Sequence, residues 1–260
     1  MIMKSLLDGK DMVLIVIPAR LGSTRLPEKM LLKETGKYLI QHTYEAANSA
    51  KCEKRVIIAT DSEEIKKAAE SFNAEAVMTS EKHKCGSERV GEVAERFPEY
   101  ESIINLQGDE VEIEPEVIDS VAEALEKERD GVVVTAAAPV VDPVVLSDPA
   151  VVKVVVDKDG YALYFSRSEI PYERNFVEDV QPFLVHIGIY GYKRDFLLKF
   201  VNMEQTPLER VEGLEQLRVL ENGFKIKVIQ VEKYHRGIDT IQDYREFLKR
   251  YKGGDENETD

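Results

Sequence analysis

The sequence predicts an α/β fold around a mostly parallel mixed sheet with an inserted antiparallel β region, and three observations carry that expectation. In the first half, apolar runs rich in β-branched residues recur at strand length, separated by amphipathic segments of helix length. That alternation is what a largely parallel sheet with helices on both sides requires. After Pro139 the rhythm changes to short strands joined by a turn, as in a hairpin. The 260 residues are 43% hydrophobic, enough apolar material for one large core. A single domain is expected over residues 11–252, followed by a disordered acidic tail at 253–260, where four acids stand without one apolar residue.

Residues 13–18, Val-Leu-Ile-Val-Ile-Pro, form the run expected of a central strand buried on both faces. After a polar loop, residues 38–50 have helical spacing and residues 55–59 repeat the buried-strand signature. Ser62 before Glu63 and Glu64 marks a helix start with acids in its first turn. Residues 74–78, 102–106 and 132–138 read as further strands, with helices over 88–97 and 115–127 between them. The hairpin is expected from 151–156 and 161–165 around a turn at 157–160, and one more strand from 185–192. Residues 166–182, with prolines and charges but no periodicity, predict a long ordered loop or lid. Helices over 194–201 and 208–222, the second stopped by Gly223, a strand over 226–231 and a helix over 240–251 complete the chain.

Charge removes several function classes. Lys and Arg total 35 against 49 Asp and Glu, a net charge of −14, which argues against nucleic acid or an anionic membrane as partner. After the initial Met-Ile-Met, the first ten residues hold only the apolar pair Leu6-Leu7, far short of a signal peptide or spanning helix, so no membrane insertion is expected. Cys52 and Cys85 stand in unrelated contexts and form no CxxC pair, which fits a reducing cytoplasm and gives neither a disulfide framework nor a zinc knuckle.

The strongest local feature is PARLGSTRLPEK, residues 18–29, a loop directly after the first strand with three cations, Arg20, Arg25 and Lys29. Gly22 and Ser23 let the backbone approach closely, and backbone N–H groups, hydroxyls and cations suit phosphate oxygens. Neither GxxxxGK[ST] nor GxGxxG is present, so this is not a P-loop or a Rossmann turn. Taken alone, a polar loop with solvated charges fits as well as a phosphate site; its place at a strand end favours phosphate. Asp109 follows the strand at 102–106 and Asp239 the strand at 226–231, so both can reach one strand-end cleft. Their carboxylates suit Mg²⁺, which takes one or two carboxylates plus substrate phosphates and water. Each also has a plain alternative: a tight turn with an Asx hydrogen bond at Gln107-Gly-Asp109, and a helix cap at Asp239-Thr240.

PARLGSTRLPEK resembles the pattern PARxxSTRLPxK of the CMP-KDO synthetases, KDO being 3-deoxy-manno-octulosonate. Further blocks agree in order: HKCGSER at 83–89 resembles HxSGTER, NLQGDE at 105–110 resembles NVQGDEP, and VKVV at 152–155 followed by GYALYFSR at 160–167 resembles VKVV and GxALYFSR. Residues 170–171, 186–192, 208–209, 214–220 and 237–240 also match, so the similarity runs from about Val13 to Leu248. It implies the three-layer nucleotide-diphospho-sugar-transferase-like fold, CTP and KDO as substrates, Mg²⁺ as cofactor, a role in lipopolysaccharide biosynthesis, and a homodimer. Residues 139–200 are then the substrate-covering and dimerisation region. Arg20, Lys29, Asp109 and Asp239 are implied as catalytic, with Asp109 and Asp239 as metal ligands. Gly22, Ser23, Arg25, Gly86, Ser87, Arg89 and Gln107 are implied on the nucleotide side. Arg167, His186, Glu215 and Gln216 are implied on the sugar side, where an arginine fork pairs with a carboxylate. Unaided, Arg89 reads as a surface helix charge, and His186, between Val185 and Ile187, as a satisfied core histidine.

The chain departs from the pattern at Glu28 (usually Gly), Val111 (usually Pro), Ala150 (usually Asn) and Cys85 (usually Ser), none of which removes a cation or candidate metal ligand. The reaction implied is in-line displacement of pyrophosphate by the sugar's anomeric hydroxyl. Neither cysteine has a legible His–Asp or His–Asn arrangement that would make it a nucleophile. Rival readings are a cytidylyltransferase for another acidic sugar, such as amino-KDO or a nonulosonate, and a non-catalytic nucleotide-binding protein. Sugar-1-phosphate nucleotidylyltransferases are disfavoured, since their GxGTRLxPLT signature does not follow the first strand.

Overall fold

The computed structural model describes residues 12–23, 25–129, 132–175, 177–178 and 182–255. The first eleven residues, Thr24 of the cationic loop, residues 176 and 179–181 of the expected loop or lid, and residues 256–260 of the expected tail therefore lie outside the described residues. Four parallel strands begin the sheet: β1 (Val13–Ala19), β2 (Lys54–Thr60), β3 (Ala76–Met78) and β4 (Ser102–Leu106), ordered β3-β2-β1-β4. Alternate residues of β1 enter two separate cores, Ile15 and Ile17 on one face and Leu14 and Val16 on the other. All four are fully buried. At roughly 1.5–3 kcal/mol for each such side chain, this explains why the run is apolar throughout and not alternating.

The helices that follow these strands in turn are α1 (Leu39–Ser49), α2 (Glu63–Ser71), α3 (Gly86–Arg96) and α4 (Pro115–Lys127). Ser62 caps α2 as the sequence predicts, its hydroxyl accepting from the N–H groups of Glu64 and Ile65. α1 and α4 bury Ile40 and Ile118 on one face of the sheet, and α3 buries Val90 and Val93 on the other, giving three layers. Beyond β4 the sheet turns mixed. β8 (Leu184–Lys193) runs antiparallel to both β4 and β5 (Val133–Pro139), and β9 (Ile226–Gln230) pairs in parallel with β5. The hairpin of β6 (Lys153–Val156) and β7 (Ala162–Ser166) attaches to the start of β8. β1 and β4 therefore end, and β8 begins, on the same edge of the sheet.

The boundaries differ from expectation in three places. A short helix α5 (Pro143–Ser147) was not anticipated, although Asp142 caps it and Pro143 opens it. After α6 (Arg194–Phe200), the single helix expected over 208–222 is two, α7 (Pro207–Glu212) and α8 (Gln216–Glu221). The break is Gly213, at φ 64° in the left-handed region that favours glycine. A buried fork of Arg218 on Glu209 ties the two pieces together. Finally, α9 (Ile241–Asp255) continues three residues into the segment expected to be a disordered tail.

Candidate active site

A cleft of about 510 Å³ opens on that shared edge, a size suited to a nucleotide and a small second substrate. Every residue assigned to catalysis, nucleotide, sugar or metal from the sequence lines it except Gly22, which is exposed and has open space around its Cα. The close approach assigned to Gly22 is therefore not one that steric demand requires. Arg20 is exposed at the strand end and makes no hydrogen bond or ion pair among the described residues.

At one end of the cleft three charged groups meet from distant parts of the chain. Lys29 Nζ lies 2.7 Å from Asp109 Oδ2, 3.3 Å from Asp239 Oδ1 and 2.7 Å from the Ile238 carbonyl. Arg25 reaches the same Asp239 oxygen at 3.0 Å. Burial works against the Lys29 charge, but Asp109 and then Asp239 outweigh it, and the lysine pKa is raised. The residue is only 6% exposed. Lys29, expected from the sequence as one of three loop cations, is thus a buried bridge between two acids.

The plain readings of both acids can now be decided. The cap of α9 is a reciprocal pair: Thr240 Oγ1 accepts from Asp243 N–H, and Asp243 Oδ2 accepts from the N–H groups of Asp239 and Thr240. The Asp239 carboxylate is left to the cleft. The turn after β4 closes through Glu110 N–H to the Gln107 carbonyl, and the Asp109 carboxylate takes no part in it. Neighbouring Glu110 is buried, and burial, reinforced by Asp109, pushes its carboxyl up to about 8. Its Oε1 accepts from Gly188 N–H at 2.8 Å. A Cβ at Gly188 would stand 2.5 Å from that oxygen and 2.6 Å from Gln107 Oε1, so only glycine lets β8 pass the β4 turn this closely.

Toward the middle of the cleft, the first turn of α3 presents Gly86 and Ser87. No side-chain cap bond from Cys85 takes the N–H groups of Gly86 and Ser87, which are left to a ligand. Burial pushes the Cys85 thiol up to about 12, consistent with its not being a nucleophile. Arg89 corrects its unaided reading as a surface charge: it is 3% exposed, 2.5 Å from Asp61 and bonded to Thr79.

At the far end Arg167 lies under the α7–α8 corner. Its Nε donates to the Glu212 carbonyl at 2.7 Å, and its terminal nitrogens donate to the Pro149 carbonyl at 2.9 Å and the Gly213 carbonyl at 3.4 Å. Beneath it Lys153, fully buried, gives its ammonium to the carbonyls of Asp148, Val151 and Arg167. His186 is half-buried on the cleft wall, beside Gln216 and Glu215, whose carboxyl pKa burial raises. Asn105, Tyr190 and Glu110 also line the cleft and were missed. The signal for Asn105 was a lone amide inside the apolar β4 run; its Oδ1 is buried without a partner.

Cations and acids gathered where parallel strands end, on a three-layer sheet, define an enzyme that handles nucleotide phosphates. A cytidylyltransferase family model matches residues 14–228. The chain is 44% identical to the 3-deoxy-manno-octulosonate cytidylyltransferase of Francisella tularensis subsp. holarctica over 91% of its own length and 97% of that protein. It is equally similar, at 44%, to the enzyme of that name from Solibacter usitatus, over 92% and 94% of the two chains. Among solved structures, CMP:2-keto-3-deoxy-manno-octonic acid synthetase complexed with CTP superposes with a TM-score of 0.84 at 37% identity, covering 92% of this chain and 98% of that one. The chain belongs to the cytidylyltransferase family and, within it, to the 3-deoxy-manno-octulosonate cytidylyltransferases.

Proposed function

We infer that the chain joins CMP from CTP to 3-deoxy-manno-octulosonate and releases pyrophosphate, supplying the activated sugar for lipopolysaccharide assembly. The observation that carries this reading is the Lys29–Asp109–Asp239 cluster, which faces a wall of polar groups across one cleft in a chain of this family. The anomeric hydroxyl attacks the α-phosphorus of CTP, an O–P bond forms as the bond to pyrophosphate breaks, and the hydroxyl proton is lost. No covalent enzyme intermediate is needed.

Asp109 and Asp239 suit Mg²⁺ because their oxygens already converge on one cation, the Lys29 ammonium. Among the described residues no group of three or more His, Cys, Asp or Glu could hold a metal, which fits an ion completed by substrate phosphates and water. When bound, Mg²⁺ would screen charge on the phosphates and lower the pKa of the attacking hydroxyl. Arg20 and Arg25 face the phosphates, and Lys29, displaced from the acids, joins them against the charge of the leaving pyrophosphate. The N–H groups of Gly86 and Ser87, with Ser23 and Gln107, take the nucleotide. Arg89, held by Asp61, shapes that wall. Arg167, His186, Glu215 and Gln216 hold the sugar acid, Arg167 through the N–H groups its carbonyl contacts leave over.

We further propose a cytoplasmic homodimer with contacts in residues 139–200. Support comes from the large apolar side chains exposed there: Val141, Val144, Leu163 and Tyr172. No described helix is long and apolar enough to cross a membrane. Pyrophosphate release from CTP with a panel of acidic sugars, with and without magnesium, tests reaction and cofactor together; light scattering tests the dimer. Turnover with a nonulosonate but not with 3-deoxy-manno-octulosonate would move the chain to its rival reading.

A further inference from the structure

β8 does not pair residue for residue with β5. The register passes from Thr135 opposite Tyr190 directly to Ala136 opposite Ile187, so Gly188 and Ile189 form a bulge. The Ile189 carbonyl is met by a side chain: Thr135 Oγ1 donates to it at 2.7 Å. The same oxygen lies 2.8 Å from His186 Nε2. A threonine hydroxyl has one proton, and a carbonyl can only accept, so that proton goes to Ile189. The contact with His186 must then be one in which the ring nitrogen donates.

Burial, with no acid to offset it, pushes His186 down to about 3, so the ring is neutral and carries a single N–H. That hydrogen is on Nε2. Nδ1 is a bare lone pair, and among the described residues no group donates to it. The ring stands on the cleft wall between Phe165, 5.5 Å away edge-on, and Tyr190 at 5.0 Å, which limits its rotation.

We propose that Thr135, which does not line the cleft, is a positioning residue that holds His186 as an acceptor-only reader, so that the sugar must present a hydroxyl or amine hydrogen to Nδ1. This rests on the cytidylyltransferase reading and adds a rule of selection to it. An analogue with that position methylated or deoxygenated leaves a lone pair facing nothing, and sites built to hydrogen-bond discriminate strongly against such analogues. The strand bulge is thereby coupled to specificity: it frees the carbonyl that takes the threonine proton.

The test is long-range ¹H–¹⁵N correlation on the full chain with ¹⁵N-labelled histidine. The chain has four histidines, and His186 is assigned by its loss in His186→Gln. The unmodified chain should show a bare nitrogen at Nδ1 and a hydrogen-bearing one at Nε2. Thr135→Ser should keep this signature and the KM for the sugar. Thr135→Val should mix the two tautomers and raise the sugar KM roughly tenfold without raising that for CTP. A hydrogen on Nδ1 in the unmodified chain overturns the proposal, as does a Thr135→Val variant that raises both KM values alike. A chain that releases no pyrophosphate with any acidic sugar sinks the functional reading instead, and the ring signals then decide on Thr135 by themselves.

Discussion

The end of the cleft that gathers Lys29, Asp109 and Asp239 and the end that holds Arg167 and Lys153 both concentrate charge, but they satisfy it differently. At the first, charged side chains meet one another, and Lys29 and Arg25 share one oxygen of Asp239. At the second, cations meet the backbone: Arg167 donates to three carbonyls, and Lys153 to three. Arg25 is exposed, so water already screens its pair with Asp239, and although Lys29 is buried, Asp109 and Asp239 both line the cleft, where another cation can reach their oxygens. Carbonyls fixed in a sheet and a helix corner cannot move toward a new partner. The phosphate end is therefore arranged to be rearranged by its ligands, and the sugar end to stay as it is.

Lys29→Ala should break the first end most severely, lowering turnover by about 10²–10³-fold, the scale of losing one group that stabilises the transition state. It should also lower stability, since two acids are left facing each other without their bridge. Magnesium alone should restore melting temperature in this variant more than in the parent. Equal magnesium effects on the two would mean that the acids do not hold the ion.

Asp109→Asn and Asp239→Asn come next. Each should cost activity that added magnesium restores only in part, and the double variant should be little worse than the poorer single one, as for two groups serving one complex. Full activity in Asp239→Asn would leave Asp109 to hold the ion alone. At the other end, Arg167→Lys should raise the sugar KM by roughly tenfold while leaving that for CTP in place, because a lysine cannot reproduce a planar fork held by three carbonyls. Equal losses for the two substrates would make Arg167 a structural brace.

The two ends were not equally legible in the sequence. β1 could be read because burial on both faces forces an unbroken apolar run, β4 because its apolar run is interrupted only by Asn105, and the motif at their ends pointed to phosphate. What could not be read were partnerships: Lys29 and Asp239 lie 210 residues apart, and nothing local says that the lysine bridges the acids. Arg89 looked like a surface charge because Asp61 is 28 residues away. The α7–α8 break was missed because a glycine inside a helical pattern is commonly tolerated, and only the backbone angle of Gly213 distinguishes a stop. Thr135 gave no signal, since a threonine is ordinary in a strand until a bulge hands it a carbonyl.

The smallest effect expected separates strain from function at the phosphate end. Glu28, immediately before Lys29, sits at φ 51°, ψ 27°, in the left-handed region, where a side chain costs about 1–2 kcal/mol. The side chain is exposed and makes no hydrogen bond or ion pair among the described residues that would offset this. Glu28→Gly removes the steric cost but adds about 0.4–1 kcal/mol of chain entropy to the unfolded state. The net gain in stability should therefore be of order 0.5–1 kcal/mol, the difference between those two terms. Asn73, at φ 61° after α2, provides the control: asparagine tolerates this region, so Asn73→Gly should gain less or nothing. Chemical denaturation of both variants measures the two values, and pyrophosphate release shows whether the looser Glu28 backbone still places Lys29. Should Glu28→Gly gain stability but lose turnover, the left-handed turn is a fixed support for the lysine. Should it gain stability at unchanged turnover, Asp109, Asp239 and the Ile238 carbonyl place Lys29 by themselves, and the left-handed turn at Glu28 does not set the geometry of this end.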